Sequence, residues 1–118
     1  ASPVSLSSAL STLQKMDGTR KIAVLGDMLE LGEHAHEAHV NAGKWAAEAG
    51  LTTLITIGQM GKVIAESAKA AGMSPIEIVE SNKQAVELLN SLLEPGDVVL
   101  IKGSRGMKME QIVAELVS

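Results

Sequence analysis

The sequence predicts a three-layer α/β fold, in which helices cover both faces of a mostly parallel sheet. Four short apolar runs, rich in β-branched residues, recur along the 118-residue chain: Lys21–Leu25, Thr53–Ile57, Ile76–Val79 and residues 97–101. Nearly continuous apolar runs of this length are typical of strands that are covered on both faces. Helical spacing of apolar residues precedes the first run and follows every run. This order predicts a Rossmann-like, doubly wound sheet with right-handed crossovers.

The helical segments carry capping signals. Ser2 and Pro3 fit the N-cap and the first position of a helix, and Ser81 followed by Gln84 fits a capping box. The inward faces of these two helices are expected to be Leu6, Leu10 and Leu13, and Ala85, Leu88, Leu89 and Leu92. The other helices are expected at residues 36–49, 60–71 and 107–117. The last of them is expected to bury Met109, Ile112, Val113 and Leu116.

The composition indicates one globular domain that spans residues 1–118. A hydrophobic share of 46% and a mean hydropathy of +0.20 exclude a disordered chain. The net charge of −4, without a block of like charges, predicts no nucleic-acid surface, and Phe and Tyr are absent as stacking platforms. No apolar run approaches the roughly 20 residues that span a membrane. The chain opens at Ala1 without a methionine, which indicates a fragment or a processed chain.

Several kinds of chemistry are excluded by the residues that are missing. Cysteine is absent, so disulfides, thiolate nucleophiles and cysteine-based zinc sites cannot form, and a reducing cytoplasm is the compatible location. Residues 58–62 (GQMGK) lack the spacing of a P-loop. No nucleophile and base can be paired in the sequence, so we predict no catalytic residue in this chain.

Two of the four strand ends carry chemically rich loops. Residues 26–39 (GDMLELGEHAHEAH) follow the first strand, and residues 102–110 (KGSRGMKME) follow the fourth. In open parallel sheets, ligands bind beyond the carboxyl ends of the strands, where the strand order reverses. The turns after the second and third strands, residues 58–60 and 80–82, are plainer. A strand order of 3-2-1-4 would make the two rich loops neighbours.

The loop after the fourth strand predicts an anion site. Lys102 and Arg105 supply positive charge, and Arg105 can hold a carboxylate or phosphate through two parallel hydrogen bonds. Gly103 and Gly106 are expected to let the backbone turn tightly and approach a ligand. Free amides at the start of the last helix would favour an anion as well. The alternative is that both cations are merely solvated.

The loop after the first strand is acidic. Asp27 and Glu30 could hold Mg²⁺ through water or accept a hydrogen bond from a ribose hydroxyl. Glu33 and Glu37 are expected to lie at the start of a helix without a binding role, because the helix dipole favours negative charge there.

Three histidines, His34, His36 and His39, lie in the same segment. Their spacing falls one residue short of the HExxH motif, and no strong third ligand accompanies them, so no metal site is predicted. They are expected to be solvated, although one of them could lie near a nucleotide.

At this point the residues resemble a known family. Residues 20–43 (RKIAVLGDMLELGEHAHEAHVNAG) and 98–110 (VVLIKGSRGMKME) closely resemble the C-terminal domain of the Mur ligases. The motifs GDMxELG…H and KGSRxxxME are those of the member that attaches D-alanyl-D-alanine, and the resemblance covers essentially the whole chain. The opening ASPVSLSSAL is similar to the family pattern NANPxSMxAAL, except that Ser2 stands where asparagine is usual.

The resemblance implies a cytoplasmic ligase with two further domains that this chain lacks. These are an N-terminal domain for the UDP-linked substrate and a central P-loop ATPase domain, which would be this domain's partner. With ATP and Mg²⁺, such enzymes phosphorylate the terminal carboxylate of UDP-MurNAc-tripeptide, and the amine of D-alanyl-D-alanine attacks the acyl phosphate. The resemblance therefore implies that this chain alone is inactive and binds neither ATP nor Mg²⁺ tightly.

The resemblance also implies roles for residues. Lys102, Gly103, Ser104 and Arg105 would line the dipeptide site, with Arg105 on the dipeptide carboxylate. The residues expected to face the nucleotide are Asp27, Met28, Glu30, Gly32 and His39. Two alternatives remain: a free-standing, flavodoxin-like module that binds a phosphate or another small ligand, and an α/β domain that binds only another protein.

Overall fold

The structure is a computed structural model that describes residues 2–16 and 19–117. In these two ranges, four strands and five α-helices alternate, together with two short 3₁₀-helices, Gly32–His34 and Arg105–Met107. The strands are β1 (Lys21–Leu25), β2 (Thr53–Ile57), β3 (Ile76–Val79) and β4 (Val98–Lys102). The α-helices are α1 (Pro3–Gln14), α2 (Ala35–Glu48), α3 (Gly61–Ala70), α4 (Asn82–Leu92) and α5 (Glu110–Val117). In the described part of the chain, no helix combines the length and the apolar character that crossing a membrane requires.

The four strands form one parallel sheet in the order β3-β2-β1-β4. This confirms the predicted strand order and places the reversal between β1 and β4. β4 runs one residue later than predicted, since Lys102 still pairs with Leu25. The carboxyl ends of β1 and β4 are therefore direct neighbours.

Helices cover both faces of the sheet, which confirms the three-layer prediction. Successive side chains of a strand point to opposite faces. In β1, Ala23 and Leu25 pack in the core beneath α1, α2 and α3, whereas Ile22 and Val24 pack in the core beneath α4 and α5. β1 thus contributes to both cores.

Only the two central strands are fully covered. Every residue of β1 and β2 is buried, whereas β4 is half-buried along its length and β3 leaves Ile78 50% exposed. The expectation that all four runs are covered on both faces is therefore wrong for β3 and β4. Each of these strands has a neighbour on one side only in this sheet.

The predicted caps of α1 and α4 are present in somewhat different forms. Ser2 Oγ accepts a hydrogen bond from the Ser5 backbone N–H at 3.2 Å, and Ser5 Oγ accepts one in return from the Ser2 N–H at 3.0 Å. Ser81 Oγ accepts from the Gln84 N–H at 3.1 Å, but the Gln84 side chain accepts from Glu80, one residue before the cap. Both helices still begin where the sequence predicts.

The last helix starts later than predicted. A 3₁₀ turn at Arg105–Met107 and a left-handed residue, Lys108 (φ 51°), come before the first residue of α5. Met109 and Ile112 are buried as expected, but Val113 is 48% exposed. The expectation that Val113 faces the core is wrong, because Met109, Ile112 and Leu116 form the core-facing stripe and Val113 lies at its margin, toward solvent.

One buried polar atom in the sheet has no partner. Thr56 of β2 is fully buried, and its Oγ1 makes no hydrogen bond to any described residue. Burying an unpaired hydroxyl costs about 1–3 kcal/mol. Thr56 therefore lowers the stability of the fold.

We predict that Thr56→Val raises the free energy of unfolding by about 1 kcal/mol, because valine has a similar shape and no hydroxyl to desolvate. Denaturant unfolding of the 118-residue chain measures this change. Thr52→Val is the matched control, since Thr52 Oγ1 accepts a hydrogen bond from the Lys21 N–H at 3.1 Å and its removal should destabilise. A loss of stability in Thr56→Val would contradict the prediction.

Candidate functional site

The loops after β1 and β4 meet at the carboxyl edge of the sheet. The Gly26 N–H donates to the Lys102 carbonyl at 2.9 Å, and the Ser104 N–H donates to the Asp27 carbonyl at 3.0 Å. These two bonds continue the pairing of the strands beyond their last residues. The expectation that the loops after the first and fourth strands are neighbours is confirmed.

Ser104 fastens the two loops to each other. Besides its backbone bond to Asp27, its Oγ accepts a hydrogen bond from the Leu29 N–H at 2.5 Å. The backbone N–H and the hydroxyl oxygen of Ser104 thus both make hydrogen bonds within the protein. Ser104 was expected to line a dipeptide site, and the structure gives its hydroxyl a framework contact.

The glycines of the β4 loop make room for the protein's own side chains. A Cβ at Gly103 would overlap Met109 Sδ, and one at Gly106 would lie 2.8 Å from Leu29 Cδ1. Neither residue has a positive φ, so the expected tight turn does not need the conformational freedom of glycine. A side chain at either position would have to displace the end of the Met109 or Leu29 side chain.

Asp27 links the β1 loop to the start of α3. Its Oδ1 accepts hydrogen bonds from the Met60 N–H at 2.9 Å and the Gly61 N–H at 3.1 Å. The helix dipole favours a carboxylate at this place. Gly58 (φ 97°) allows the contact, because a Cβ there would lie 2.7 Å from Asp27 Oδ1. The turn after β2, which the sequence presents as plain, therefore belongs to the site.

Met28 and His39 are buried behind the loop. Their side chains are 3% and 0% exposed. His39 Nε2 accepts a hydrogen bond from the Met28 N–H at 2.9 Å, so its proton lies on Nδ1, which donates to the Ala35 carbonyl at 2.6 Å. This geometry corrects one expectation: His39 is not solvated, unlike the exposed His34 and His36. The place of Met28 and His39 on the nucleotide side stays a prediction, and both side chains are buried in this domain.

The open part of the site is a depression of about 350 Å³. It is lined by Leu29, Glu30, Ser104, Arg105 and Gly106. Arg105 and Glu30 are exposed, and Leu29 is 44% exposed, so the depression offers a cation, an anion and an apolar surface. Lys102 is half-buried at the end of β4.

The acidic side of the depression has an unusual backbone. Glu30 adopts a left-handed conformation (φ 64°), and Gly32, also exposed, has a φ of 59°. A left-handed residue other than glycine costs about 1 kcal/mol or more. The loop thus holds the Glu30 carboxylate at the surface at some cost.

The described residues do not fit a resident metal ion. They include no group of three or more histidine and carboxylate side chains that could hold one. Asp27 Oδ1 already accepts hydrogen bonds from two amides. The remaining carboxylates of this loop do not form a cluster that could hold a metal ion. A Mg²⁺ ion at this edge would take most of its ligands from phosphate oxygens and water.

The sequence did not indicate the role of Asn82. This residue follows β3, in a turn that appears plain, and its side chain donates to the carbonyls of Met107 and Lys108. An amide side chain just after a strand end is the signal that could have suggested it.

We predict that His39→Ala lowers the free energy of unfolding by about 2–4 kcal/mol, because it leaves the Met28 N–H without its acceptor and opens a cavity. Denaturant unfolding of the chain measures the loss. His36→Ala, at an exposed position of the same helix, should change stability by less than about 0.5 kcal/mol. Equal effects of the two substitutions would contradict the buried role of His39.

Comparisons with known proteins place the chain in a family. The family model described as "Mur ligase, glutamate ligase domain" matches residues 1–105. The UDP-N-acetylmuramoyl-tripeptide–D-alanyl-D-alanine ligase of Bacillus subtilis is 34% identical over 99% of this chain and 26% of its own length. The chain therefore spans about a quarter of this relative.

Solved structures agree. A MurF structure from Acinetobacter baumannii has a TM-score of 0.84 and 29% identity over 98% of this chain and 26% of that chain. MurF from Thermotoga maritima, solved in complex with ADP, has a TM-score of 0.81 at 24% identity over 98% of this chain and 26% of that chain, and so shares the fold. On the match to the family model, the chain belongs to the Mur ligase family, in the part that the model describes as the glutamate ligase domain.

Proposed function

We propose that this chain is the C-terminal domain of a cytoplasmic, ATP-dependent ligase that joins D-alanyl-D-alanine to UDP-MurNAc-tripeptide, with release of ADP and phosphate. The names of its relatives support this reaction. In this proposal the domain supplies the dipeptide site and one wall of the ATP cleft. The observation that carries the proposal is the joined pair of loops at the β1–β4 edge, with Arg105 and Glu30 both lining the open depression.

The domain works only with the other parts of the enzyme. The described residues include neither a set of metal ligands nor a P-loop. An acyl phosphate hydrolyses when water reaches it, so a second surface must close over this wall during the reaction. A central ATPase domain of the same enzyme is the partner that fits this need. Membership of the family argues against the alternative of a free-standing, flavodoxin-like module.

Arg105 is our candidate for the group that binds the dipeptide carboxylate. It is exposed in the depression, and a guanidinium matches a carboxylate through two parallel hydrogen bonds. Lys102 adds positive charge behind it at the end of β4. Gly103 and Ser104 contribute through the packing and hydrogen bonds that hold this loop against the β1 loop. Leu29 offers an apolar surface of the kind that suits the methyl groups of the dipeptide.

The β1 loop is our candidate for the nucleotide side of the cleft. Glu30 and Gly32 are exposed, and the left-handed backbone at Glu30 is a cost that a functional contact would explain. Asp27 is half-buried and combines a structural contact to α3 with a negative charge near the cleft. In this proposal the carboxylates act on ATP through a ribose hydroxyl or through the water shell of Mg²⁺.

We predict that Arg105→Ala in the complete ligase raises KM for D-alanyl-D-alanine by about 10- to 100-fold, because a hydrogen-bonded charge pair is worth about 1.5–3 kcal/mol. The KM for ATP should stay unchanged. Arg105→Lys keeps the charge but loses the two parallel hydrogen bonds, so its effect should be intermediate. Steady-state kinetics with each substrate varied measures these effects.

The control for Arg105 is Lys69→Ala, which removes an exposed cation in the last turn of α3. A dipeptide KM that is unchanged in Arg105→Ala, or equally changed in Lys69→Ala, would rule out the assigned role.

We predict that Asp27→Asn raises KM for ATP about tenfold and leaves stability within about 0.5 kcal/mol, because asparagine keeps an oxygen for the Met60 and Gly61 amides but loses the charge. Asp27→Ala should show the same kinetic effect and also lose about 1–2 kcal/mol of stability. Kinetics and denaturant unfolding of both variants separate the two roles. An unchanged KM for ATP in Asp27→Asn would show that Asp27 acts only by binding the amides at the start of α3.

A further inference from the structure

We infer that Asn82 is a positioning residue for Arg105. Its side chain binds the backbone where the chain leaves the turn that carries Arg105, and so holds that turn in place. The contacts of Asn82 stand independently of any function. Only the kinetic consequence for the dipeptide rests on the proposed function.

Asn82 is the first residue of α4, and its side chain reaches the end of the β4 loop. Its Nδ2 lies 3.0 Å from the Met107 carbonyl oxygen and 3.2 Å from the Lys108 carbonyl oxygen, with Gln111 Oε1 at 3.4 Å. All three neighbours are acceptors. An amide nitrogen has two hydrogens to donate, so it satisfies the two backbone carbonyls, whereas an oxygen at this place would be repelled.

The carbonyls that Asn82 binds belong to a strained part of the backbone. Lys108 is left-handed, with φ 51° and ψ 39°. A residue with a Cβ adopts this conformation only at a cost in free energy. The turn before it is closed by the Met107 N–H to the Ser104 carbonyl at 2.9 Å and the Lys108 N–H to the Arg105 carbonyl at 3.0 Å. Asn82 stabilises the backbone where it leaves this turn, and so opposes the tendency of Lys108 to relax.

Arg105 lies between two fixed points. Ser104 binds the loop to Asp27 and Leu29 at one end, and Asn82 binds it to α4 at the other. Arg105 and Gly106, which are exposed, form the segment in between. Without Asn82 the exit of the turn would lose both of its side-chain hydrogen bonds and would be held by the packing of Met109 and by the Gln111 N–H on the Lys108 carbonyl. Arg105 would then sample more positions, and its carboxylate partner would have to bind a less ordered group.

The first test is amide hydrogen exchange of the 118-residue chain, measured by NMR. In Asn82→Ala, the amides of Met107 and Lys108 should exchange about tenfold faster, whereas the Ser104 amide, bonded to Asp27, should change much less. Asn90→Ala is the matched control, since it makes the same change at an exposed position of α4.

Asn82→Asp separates the role of the side chain from the stability of α4. Aspartate is isosteric and suits the first turn of a helix, but it presents oxygens to two carbonyls. We expect the same loosening of Met107 and Lys108 as in Asn82→Ala. Unchanged exchange of these amides in both Asn82 variants, or equal loosening in Asn90→Ala, would overturn the inference.

The second test is kinetic and uses the complete ligase. Asn82→Ala should raise KM for D-alanyl-D-alanine about three- to tenfold and leave KM for ATP unchanged. If Asn82 acts through Arg105, it should have no further effect in an Arg105→Ala background. Arg105→Ala with an effect and Asn82→Ala without one would overturn the positioning role. Arg105→Ala without an effect would instead refute the proposed function of Arg105, and the exchange data would still decide whether Asn82 holds the turn.

Discussion

The pairing of β1 and β4 does not stop at the last residue of either strand. The Gly26 N–H donates to the Lys102 carbonyl, and the Ser104 N–H donates to the Asp27 carbonyl, so two loops far apart in sequence continue as if they were still in the sheet. This extended pairing fixes the relative position of the acidic and the basic loop, and Met109 fills the space that Gly26 and Gly103 leave. The rest of the site depends on it, because the depression is lined by residues from both loops.

The polar residues of the two loops divide into those that turn inward and those that turn outward. Asp27 and Ser104 use their side chains on backbone amides of the protein itself, and His39 does the same from α2. Glu30 and Arg105 remain exposed. The inward contacts satisfy backbone groups that an irregular loop would otherwise leave unpaired. They also hold the loops that carry Glu30 and Arg105 in a defined place, which in the proposed function lowers the ordering cost of binding.

The sequence predicted the architecture well because the signals for it are local and redundant. The apolar runs marked the strands, and the contrast between rich and plain strand ends indicated the strand order. The same signals could not separate central from edge strands, because the apolar run of β4 resembles that of β1 although only β1 is covered on both sides. The exposure of Val113 also escaped prediction, since an apolar residue at the margin of a helix's apolar stripe has the same spacing signal whether or not a neighbouring element covers it.

The site was predicted in outline but not in its division of roles. Chemistry and position at a strand end made Asp27 and Arg105 candidates, and the resemblance added Ser104, but a sequence does not show which polar groups bind the backbone. His39 is instructive, because it lies one helical turn before Ala42 and Gly43, both buried on α2, and this spacing favours a buried face. The histidines were predicted to be solvated from their polarity alone, and the helical spacing was not applied to His39.

Asp27 connects the β1 loop, in which it lies, to the start of α3 and to the β4 loop. Its carboxylate binds the first turn of α3, and its carbonyl binds Ser104, whose hydroxyl in turn accepts from Leu29. A shift of α3 toward or away from the sheet would therefore pull on the backbone beside Arg105 through only two hydrogen bonds. Hydrogen bonds of this one residue thus form a short connection between the start of α3 and the loop that carries Arg105.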